Sequence, residues 1–215
     1  MVSKKEAKEK LKFITDRYNK YKDNKEFVRN EKQICQSLIV PFIRDVLGWY
    51  IDDPNEFKTE VQQSGKRIDY TVLSNGVTQF IVEAKSLDVE IRNNEKFYNQ
   101  AITYALGKEK AYAILTNFKY FIILRADVKV ERFEQAEIRR IDIINESESD
   151  FEFLWCFSKE KWSLEKGKSS LLIQSGLKKR ESIDVELLDN MIKWRSSLLN
   201  NLSYYRNKNK FNFDD

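Results

Sequence analysis

The hydrophobic pattern of the chain changes its period near residue 58, and this change limits the possible folds more than any other feature. Before it, apolar residues recur at intervals of three and four, which predicts amphipathic helices over residues 3–22 and 26–47. After it, apolar and polar residues alternate, which predicts strands joined by short turns. The predicted strands are Lys58–Gln63, Arg67–Leu73 and Val77–Ser86, with turns at Ser64-Gly65-Lys66 and Ser74-Asn75-Gly76.

The second half of the chain completes a layered arrangement. A helix is predicted over residues 95–107, and the acidic segment Ile143–Asp150 is predicted to be a loop. The order of the elements indicates an α/β domain with a central mixed β-sheet flanked by helices. The remaining predicted elements are strands at Ala111–Thr116, Tyr120–Ala126 and 138–144, and helices at Phe151–Trp162 and 183–205.

The length of the chain bears on its domain organisation. With 215 residues, it can bury a sizeable core within one domain. We expect the α/β domain to span residues 1–162, with its core at about 27–126. Residues 163–215 are expected to form a helical C-terminal extension, or a linker towards a further domain.

The composition excludes several kinds of active site. The chain has no histidine, so Ser-His-Asp triads, Cys-His pairs and His-ligated zinc or haem sites are excluded. Its glycines fit neither a dinucleotide-binding fingerprint nor a Walker A loop, and no amino-methyltransferase motif occurs, so we expect no ATP or S-adenosylmethionine site. Catalysis would then have to use carboxylates, lysine, tyrosine or an oxygen-bound metal ion.

Charge and cysteine use suggest where the protein acts. The 38 basic and 34 acidic residues give a net charge of +4, which permits a polyanionic partner without requiring one. Cys35 and Cys156 lie in apolar surroundings and are expected to be buried thiols in a reducing compartment. No apolar run is long enough to cross a membrane, and the N-terminus has no signal-peptide core. We therefore expect a cytoplasmic protein.

Three charged residues, Asp69, Glu83 and Lys85, interrupt strands that are otherwise apolar. Glu83 and Lys85 are two positions apart, so their side chains leave the same face of a strand. A strict two-residue turn would place Asp69 opposite Val82, facing away from them. A three-residue turn or a single bulge would instead place Asp69 opposite Glu83. We expect the second register, which brings the three charged groups together.

Such a cluster suits a metal-dependent hydrolase. Two adjacent carboxylates repel each other unless a cation lies between them. A buried ion pair with Lys85 would offset part of the repulsion, which is the purely structural alternative. A divalent metal would offset more of it, and Asp and Glu oxygens with water form a ligand set typical of Mg²⁺. This arrangement favours hydrolysis of a phosphodiester, with Lys85 orienting the attacking water or stabilising developing charge.

The order Asp69, then Glu83-Ala84-Lys85, resembles the PD-(D/E)xK nuclease superfamily, although position 68 is Ile rather than Pro. A Gln-x-x-x-Tyr pattern follows at Gln100 and Tyr104. With Asn30-Glu31 opening a helix, the order over about residues 27–125 is similar to the nuclease domain of type I restriction R subunits. It is also similar to that of single-chain type IIG or type I-like restriction–modification enzymes.

The resemblance implies a metal centre. Asp69 and Glu83 would ligate Mg²⁺, or Mn²⁺ in its place, with the Ala84 carbonyl as a further ligand. Lys85 would be the catalytic lysine. Glu31 matches a helical acid near the metal, usually linked to it through water. The residues alone leave another reading of Glu31, a first-turn acid favoured by the helix dipole.

The resemblance also implies contacts with DNA. Gln100 and Tyr104 lie one turn apart on the predicted helix, and would sit beside the catalytic site and touch the DNA backbone. Lys66 and Arg67, at the predicted hairpin, would either meet phosphate or form a solvated turn.

These expectations converge on a Mg²⁺-dependent DNA endonuclease that serves as the cleavage domain of a restriction–modification enzyme. Its partners would be double-stranded DNA and separate motor, methyltransferase or recognition domains or subunits. No helix motif that reads the major groove is visible, so sequence specificity would lie elsewhere. Two alternatives stay open: a non-catalytic nucleic-acid-binding or assembly module on the same fold, and a stand-alone repair or recombination nuclease.

Overall fold

The computed structural model describes residues 2–63, 66–107, 112–126 and 132–163, together with 194–195 and 197–198. The chain divides into two units, Met1–Leu171 and Leu172–Asp215. In the second unit, the described residues Trp194, Arg195, Ser197 and Leu198 are helical and exposed. Most of the helix predicted over 183–205 lies outside the described residues, and the proposed domain boundary at residue 162 stays a prediction.

A six-stranded sheet organises the first unit, with its strands side by side in chain order. Neighbouring strands are antiparallel except β3 and β4, which are parallel and are connected by a helix. The sheet is therefore mixed, and the predicted α/β class is confirmed. The strands are β1 (Phe57–Gln63), β2 (Lys66–Ser74), β3 (Val77–Ala84), β4 (Tyr112–Thr116), β5 (Tyr120–Arg125) and β6 (Glu137–Asp142).

The first helix, α1 (Lys4–Tyr21), begins at Ser3, whose side chain forms a capping box with Glu6. Its apolar seam is buried in the core of its own chain, at Ala7, Leu11, Ile14 and Tyr18. The seam therefore stabilises the domain itself.

The second predicted helix is interrupted, so the prediction of one continuous helix over 26–47 was wrong. A short α2 (Lys25–Arg29) ends at Asn30, whose side chain accepts a hydrogen bond from the backbone N–H of Gln33 and so starts α3 (Glu31–Ile34). Asparagine is a strong N-cap because its short side chain satisfies free helical N–H groups. Two π-helical segments, Cys35–Ile39 and Phe42–Val46, then lead to Gly48, where φ is +78°.

The acidic segment after β6 also departs from the prediction, because its last residues are helical. Ser147 forms a capping box with Asp150, and α5 (Glu148–Trp155) starts there. A separate α6 (Lys159–Ser163) follows, so the predicted helix Phe151–Trp162 is two helices. No helix in the described parts of the chain is long and apolar enough to span a membrane.

Helices cover both faces of the sheet and bury two apolar cores. One core lies between the sheet and α1, the π-helical segments and α5, and the other lies beneath α4 (Glu95–Leu106). Strand β3 contributes to both, since Phe80 and Val82 enter the first core and Ile81 enters the second. Glu83 and Lys85 continue the alternation of Ile81, so their side chains face α4. Cys35 and Cys156 are both buried and are not joined in a disulfide, as predicted.

Candidate active site

A β-bulge sets the register that brings the predicted site residues together. The hairpin between β2 and β3 turns through Asn75-Gly76, whose φ angles of 51° and 76° are both left-handed. The register then shifts by one residue between Val72 and Leu73. Beyond the shift, Val72 pairs with Phe80 and Tyr70 pairs with Val82. The same register places Asp69 opposite Glu83. The predicted register is confirmed, and it comes from a bulge combined with a two-residue turn.

Hydrogen bonds from the main chain at Ala84 and Lys85 link the end of β3 to β2 and β4. The backbone N–H of Ala84 donates to Asp69 Oδ2 over 2.8 Å, which fixes the Asp69 carboxylate against β3. The backbone N–H of Lys85 donates to the Thr116 carbonyl of β4 over 2.9 Å. The carboxylate and the lysine are therefore positioned by hydrogen bonds of the sheet.

Glu83 is the buried centre of the cluster, with 1% of its side chain exposed. Its Oε1 accepts hydrogen bonds from Lys85 Nζ over 2.5 Å and from Gln100 Nε2 over 2.6 Å. Gln100 Nε2 also lies 3.1 Å from the hydroxyl of Tyr104. The Oε2 atom of Glu83 is buried and has no hydrogen-bond partner in the described part of the chain. Sequence-predicted residues from β3 and α4 thus meet here, and they leave one carboxylate oxygen free.

The electrostatics of the two carboxyl groups reflect burial and mutual repulsion. Burial raises the pKa of Glu83 to about 7, the charge of Asp69 adds to this rise, and Lys85 opposes it. The pKa of Asp69 is also raised by burial, against the opposing effects of the Ala84 N–H and the Lys85 charge. Both groups therefore resist ionisation more than exposed carboxyls do.

The pKa values of Lys85 and Glu31 are also shifted by burial and by the charges of the cluster. Burial acts to lower the pKa of the Lys85 ammonium, but the charge and hydrogen bond of Glu83 outweigh it, so the pKa is raised. Burial raises the pKa of Glu31, with the charge of Lys85 opposing and that of Asp69 adding to the rise. Glu31 opens α3 and lines a cavity of about 320 Å³ together with Asp69, Glu60 and Cys35. The structure thus brings Glu31 to the cluster from a separate element.

The cluster carries a surplus of negative charge. Glu31, Asp69 and Glu83 share the field of a single described ammonium, Lys85. Like charges about 4 Å apart repel by about 4 kcal/mol at an effective dielectric of 20, so a compensating cation is favoured. Oxygen donors and a buried, unpaired Glu83 Oε2 fit a hard divalent ion. Within the described ranges, no group of three or more His, Cys, Asp or Glu side chains has the arrangement of a metal site. Asp69 and Glu83 alone would leave most of the ligand positions of such an ion to water.

Three of the residues predicted to contact DNA, Arg67, Gln100 and Tyr104, line one cavity. Arg67 is exposed, and its guanidinium lies 3.0 Å from Glu60 Oε2. The backbone of Lys66 belongs to β2, while its side chain lies outside the described part of the structure. Gln100 and Tyr104 line a cavity of about 620 Å³ together with Arg67, Lys96, Asn99 and Thr103.

Several residues of the site were not predicted from sequence. The Lys85 ammonium lies 5.3 Å from the centre of the Phe97 ring, a cation–π contact that also positions it. Lys96, Asn99 and Thr103 share the Gln100 cavity. Helical spacing was the available signal for two of them, since Lys96 lies four residues before Gln100 and Thr103 lies three after it.

The family model described as "Type I restriction enzyme R protein N terminus" matches residues 54–132. This part of the chain is similar to a restriction-enzyme domain. The matched segment runs from before β1 into the β5–β6 connection, and it contains Asp69, Glu83, Lys85, Gln100 and Tyr104. No curated protein and no solved structure matches the chain significantly.

Proposed function

We propose that this domain is a PD-(D/E)xK-type, Mg²⁺-dependent DNA endonuclease and the cleavage domain of a restriction–modification enzyme. The observation that carries the proposal is the Asp69–Glu83 carboxylate pair beside Lys85, with Glu83 Oε2 buried and unpaired. The similarity to type I restriction R proteins over residues 54–132 supports a restriction role rather than a repair role.

In this proposal, the side chains of the site have different roles around the scissile phosphodiester. Asp69 is oriented by the Ala84 N–H, and Glu83 is oriented by Gln100, so each presents an oxygen at a fixed position. A Mg²⁺ ion bound by these oxygens would polarise the phosphate and lower the pKa of the attacking water. The Ala84 carbonyl and Glu31 would complete the surroundings of the ion, directly or through water.

Lys85 stabilises charge in this mechanism and does not accept a proton. Its raised pKa keeps the ammonium protonated at neutral pH. A protonated lysine cannot be a general base, but it stabilises the negative charge that builds up on the attacked phosphate. Its side chain is 13% exposed, so this interaction is only weakly screened by water.

The proposed setting follows from the same similarity. R-type cleavage domains would act on double-stranded DNA with motor, methyltransferase or recognition domains or subunits. Cys35 and Cys156 are buried and not joined in a disulfide, which suits a reducing cytoplasm.

Nicking of supercoiled plasmid in Mg²⁺ or Mn²⁺ tests the proposal. Wild type should nick the plasmid, and Asp69→Asn and Lys85→Met should not. Glu137→Gln, which removes a carboxylate from β6, is the matched control and should retain activity. Equal nicking by wild type, Asp69→Asn and Lys85→Met would refute the proposal.

A second candidate is a non-catalytic nucleic-acid-binding or assembly module. The 2.5 Å contact between Lys85 and Glu83 favours it, because an ion pair alone neutralises part of the cluster. Calorimetric titration with Mn²⁺ separates the two candidates without requiring any partner subunit. A module of this kind would bind no Mn²⁺, and Asp69→Asn would leave its DNA affinity unchanged.

A further inference from the structure

A groove whose lining side chains all carry polar groups runs along α4 beside the candidate active site, and we call it the α4 groove. It has a volume of about 620 Å³ and no acidic residue among those that line it. Two of its residues are cationic and four are neutral groups that can donate hydrogen bonds. They are Arg67, Lys96, Asn99, Gln100, Thr103 and Tyr104.

The groove residues form two rows along the helix. Lys96, Gln100 and Tyr104 follow each other at intervals of four, and Asn99 and Thr103 lie beside them at the same interval. Eight residues of helix rise about 12 Å, which is the length of roughly three to four base-pair steps. The first row is therefore long enough to follow a short run of phosphates on one strand.

The charges of the groove favour an anionic occupant. Lys96 is exposed, and it makes no ion pair with the described acidic residues. Arg67 shares its charge with Glu60, so Lys96 supplies the larger uncompensated positive charge. Amide and hydroxyl groups such as those of Asn99 and Thr103 contact phosphate oxygens without reading the base sequence.

The groove is continuous with the reacting groups. Gln100 lines the groove, and its Nε2 donates to Glu83 Oε1 over 2.6 Å. A strand lying in the groove would therefore pass a phosphodiester close to Asp69 and Glu83.

We infer that the α4 groove holds the sugar-phosphate backbone of the DNA strand that is cut, with Lys96, Asn99 and Thr103 as backbone-contacting residues. This inference rests on the proposed function, because its ligand is the proposed substrate. It adds a path for the strand and three residues that position it. Because the contacts are to the backbone, affinity for this groove should not depend on base sequence.

The test measures binding of the full chain to a labelled DNA duplex by fluorescence anisotropy, in EDTA so that no cleavage occurs. Lys96→Gln should weaken binding about fivefold to tenfold at about 0.1 M salt, and equally for unrelated sequences. The slope of log affinity against log salt should fall by about one. Lys12→Gln is the matched control, since it removes one exposed charge from α1 on the other face of the sheet. This control should bind within about twofold of wild type.

A pair of substitutions at exposed Thr103 tests the same groove with opposite signs. Thr103→Glu should weaken binding and Thr103→Lys should strengthen it, each by about threefold to tenfold. The inference is overturned if Lys96→Gln matches Lys12→Gln, if both Thr103 variants behave as wild type, or if wild type binds no duplex. If the first two results occur while Asp69→Asn still abolishes plasmid nicking, the groove fails but the proposed nuclease function stands.

Discussion

Two charged clusters lie against α4, and they differ in the balance of their charges. The acidic cluster contains Asp69, Glu83 and Lys85. The balanced cluster contains one carboxylate, Glu137 of β6, and one guanidinium, Arg140. In the balanced cluster, Arg140 Nη2 lies 2.8 Å from Glu137 Oε2, and α4 again supplies a polar partner.

That partner is Tyr98, whose hydroxyl donates to Glu137 Oε2. Arg140 Nη2 also donates to Asn93 Oδ1 over 2.6 Å. Burial and the bond to Glu137 raise the pKa of Tyr98 to about 12, so the hydroxyl keeps its proton and remains a donor. The balanced cluster therefore links α4 to the sheet, and one of its atoms, Arg140 Nε, is buried without a hydrogen-bond partner among the described residues.

This difference in charge balance distinguishes a cluster that stabilises the fold from a candidate functional cluster. A carboxylate matched by a guanidinium contributes to the fold. A carboxylate pair with one lysine carries surplus charge that the fold alone does not need, and it costs stability at neutral pH. Burial and, after it, the charge of Asp69 raise the pKa of Glu83 to about 7, in keeping with that cost. The acidic cluster is therefore the better candidate for chemistry.

The largest expected effect is on cleavage. Asp69→Asn should reduce the Mg²⁺-dependent rate about 10²- to 10⁴-fold, because one of the two oriented carboxylates is lost. Single-turnover cleavage of plasmid measures this rate. Glu137→Gln in the balanced cluster should change the rate less than threefold, and a comparable loss in both variants would remove the distinction between the clusters.

The next effect is on the free energy of unfolding. Glu137→Gln should destabilise the domain by about 1–3 kcal/mol, since Arg140 loses its charge partner in a setting where both side chains are mostly buried. Urea denaturation followed by circular dichroism measures it. An unchanged midpoint would show that the balanced cluster does not hold α4.

Removing the charge of Glu83 from the acidic cluster should instead stabilise the domain, by an amount that depends on pH. The pKa of Glu83 is raised from 4.5 to about 7, so the folded state binds the proton more tightly than the unfolded state does. Its contribution to stability is complete below about pH 4.5 and is lost as the pH rises through about 7. Glu83→Gln should therefore reduce the loss of stability between pH 5 and pH 8 by on the order of 1–3 kcal/mol.

Urea denaturation at several pH values measures this loss in metal-free buffer. Glu137→Gln serves as the control and should keep the wild-type pH dependence. Added Mg²⁺ should stabilise wild type at pH 8 and have little effect on Glu83→Gln. A Glu83→Gln curve parallel to wild type would contradict the assignment of the raised pKa to Glu83.

The smallest effect concerns orientation. Gln100→Ala should reduce the single-turnover cleavage rate about tenfold, because Glu83 Oε1 loses a neutral donor at 2.6 Å while both carboxylates remain. Tyr104→Phe removes only the hydroxyl that Gln100 contacts, and should have a smaller effect in the same direction. A larger loss for Tyr104→Phe than for Gln100→Ala would reverse these roles.

Much of the fold could be predicted because local patterns determine it. Alternation, together with runs of apolar, β-branched and aromatic residues, located all six strands to within two residues at each end. The isolated charges on β2 and β3 predicted the register that places Asp69 opposite Glu83. The errors came from capping. Asn30 and Ser147 each cap the start of a helix. The prediction gave more weight to an apolar stripe around Asn30 and to the acidic composition around Ser147.

The parts that could not be predicted depend on tertiary contacts. The Tyr98–Glu137 bond joins residues 39 positions apart, and no local pattern marks it. The free oxygen of Glu83 and the place of Lys96 in the α4 groove likewise depend on how α4 packs on the sheet. The residue types at the site were therefore predictable, whereas its charge balance required the structure.

The central claim is that the acidic cluster binds a divalent cation and the balanced cluster does not. Calorimetric titration of the full chain with Mn²⁺ at pH 7.5 tests it most directly. The claim predicts saturable binding to wild type and to Glu137→Gln, and loss of that binding in Asp69→Asn and Glu83→Gln. Equal binding to all four proteins, or no binding to wild type, would contradict it.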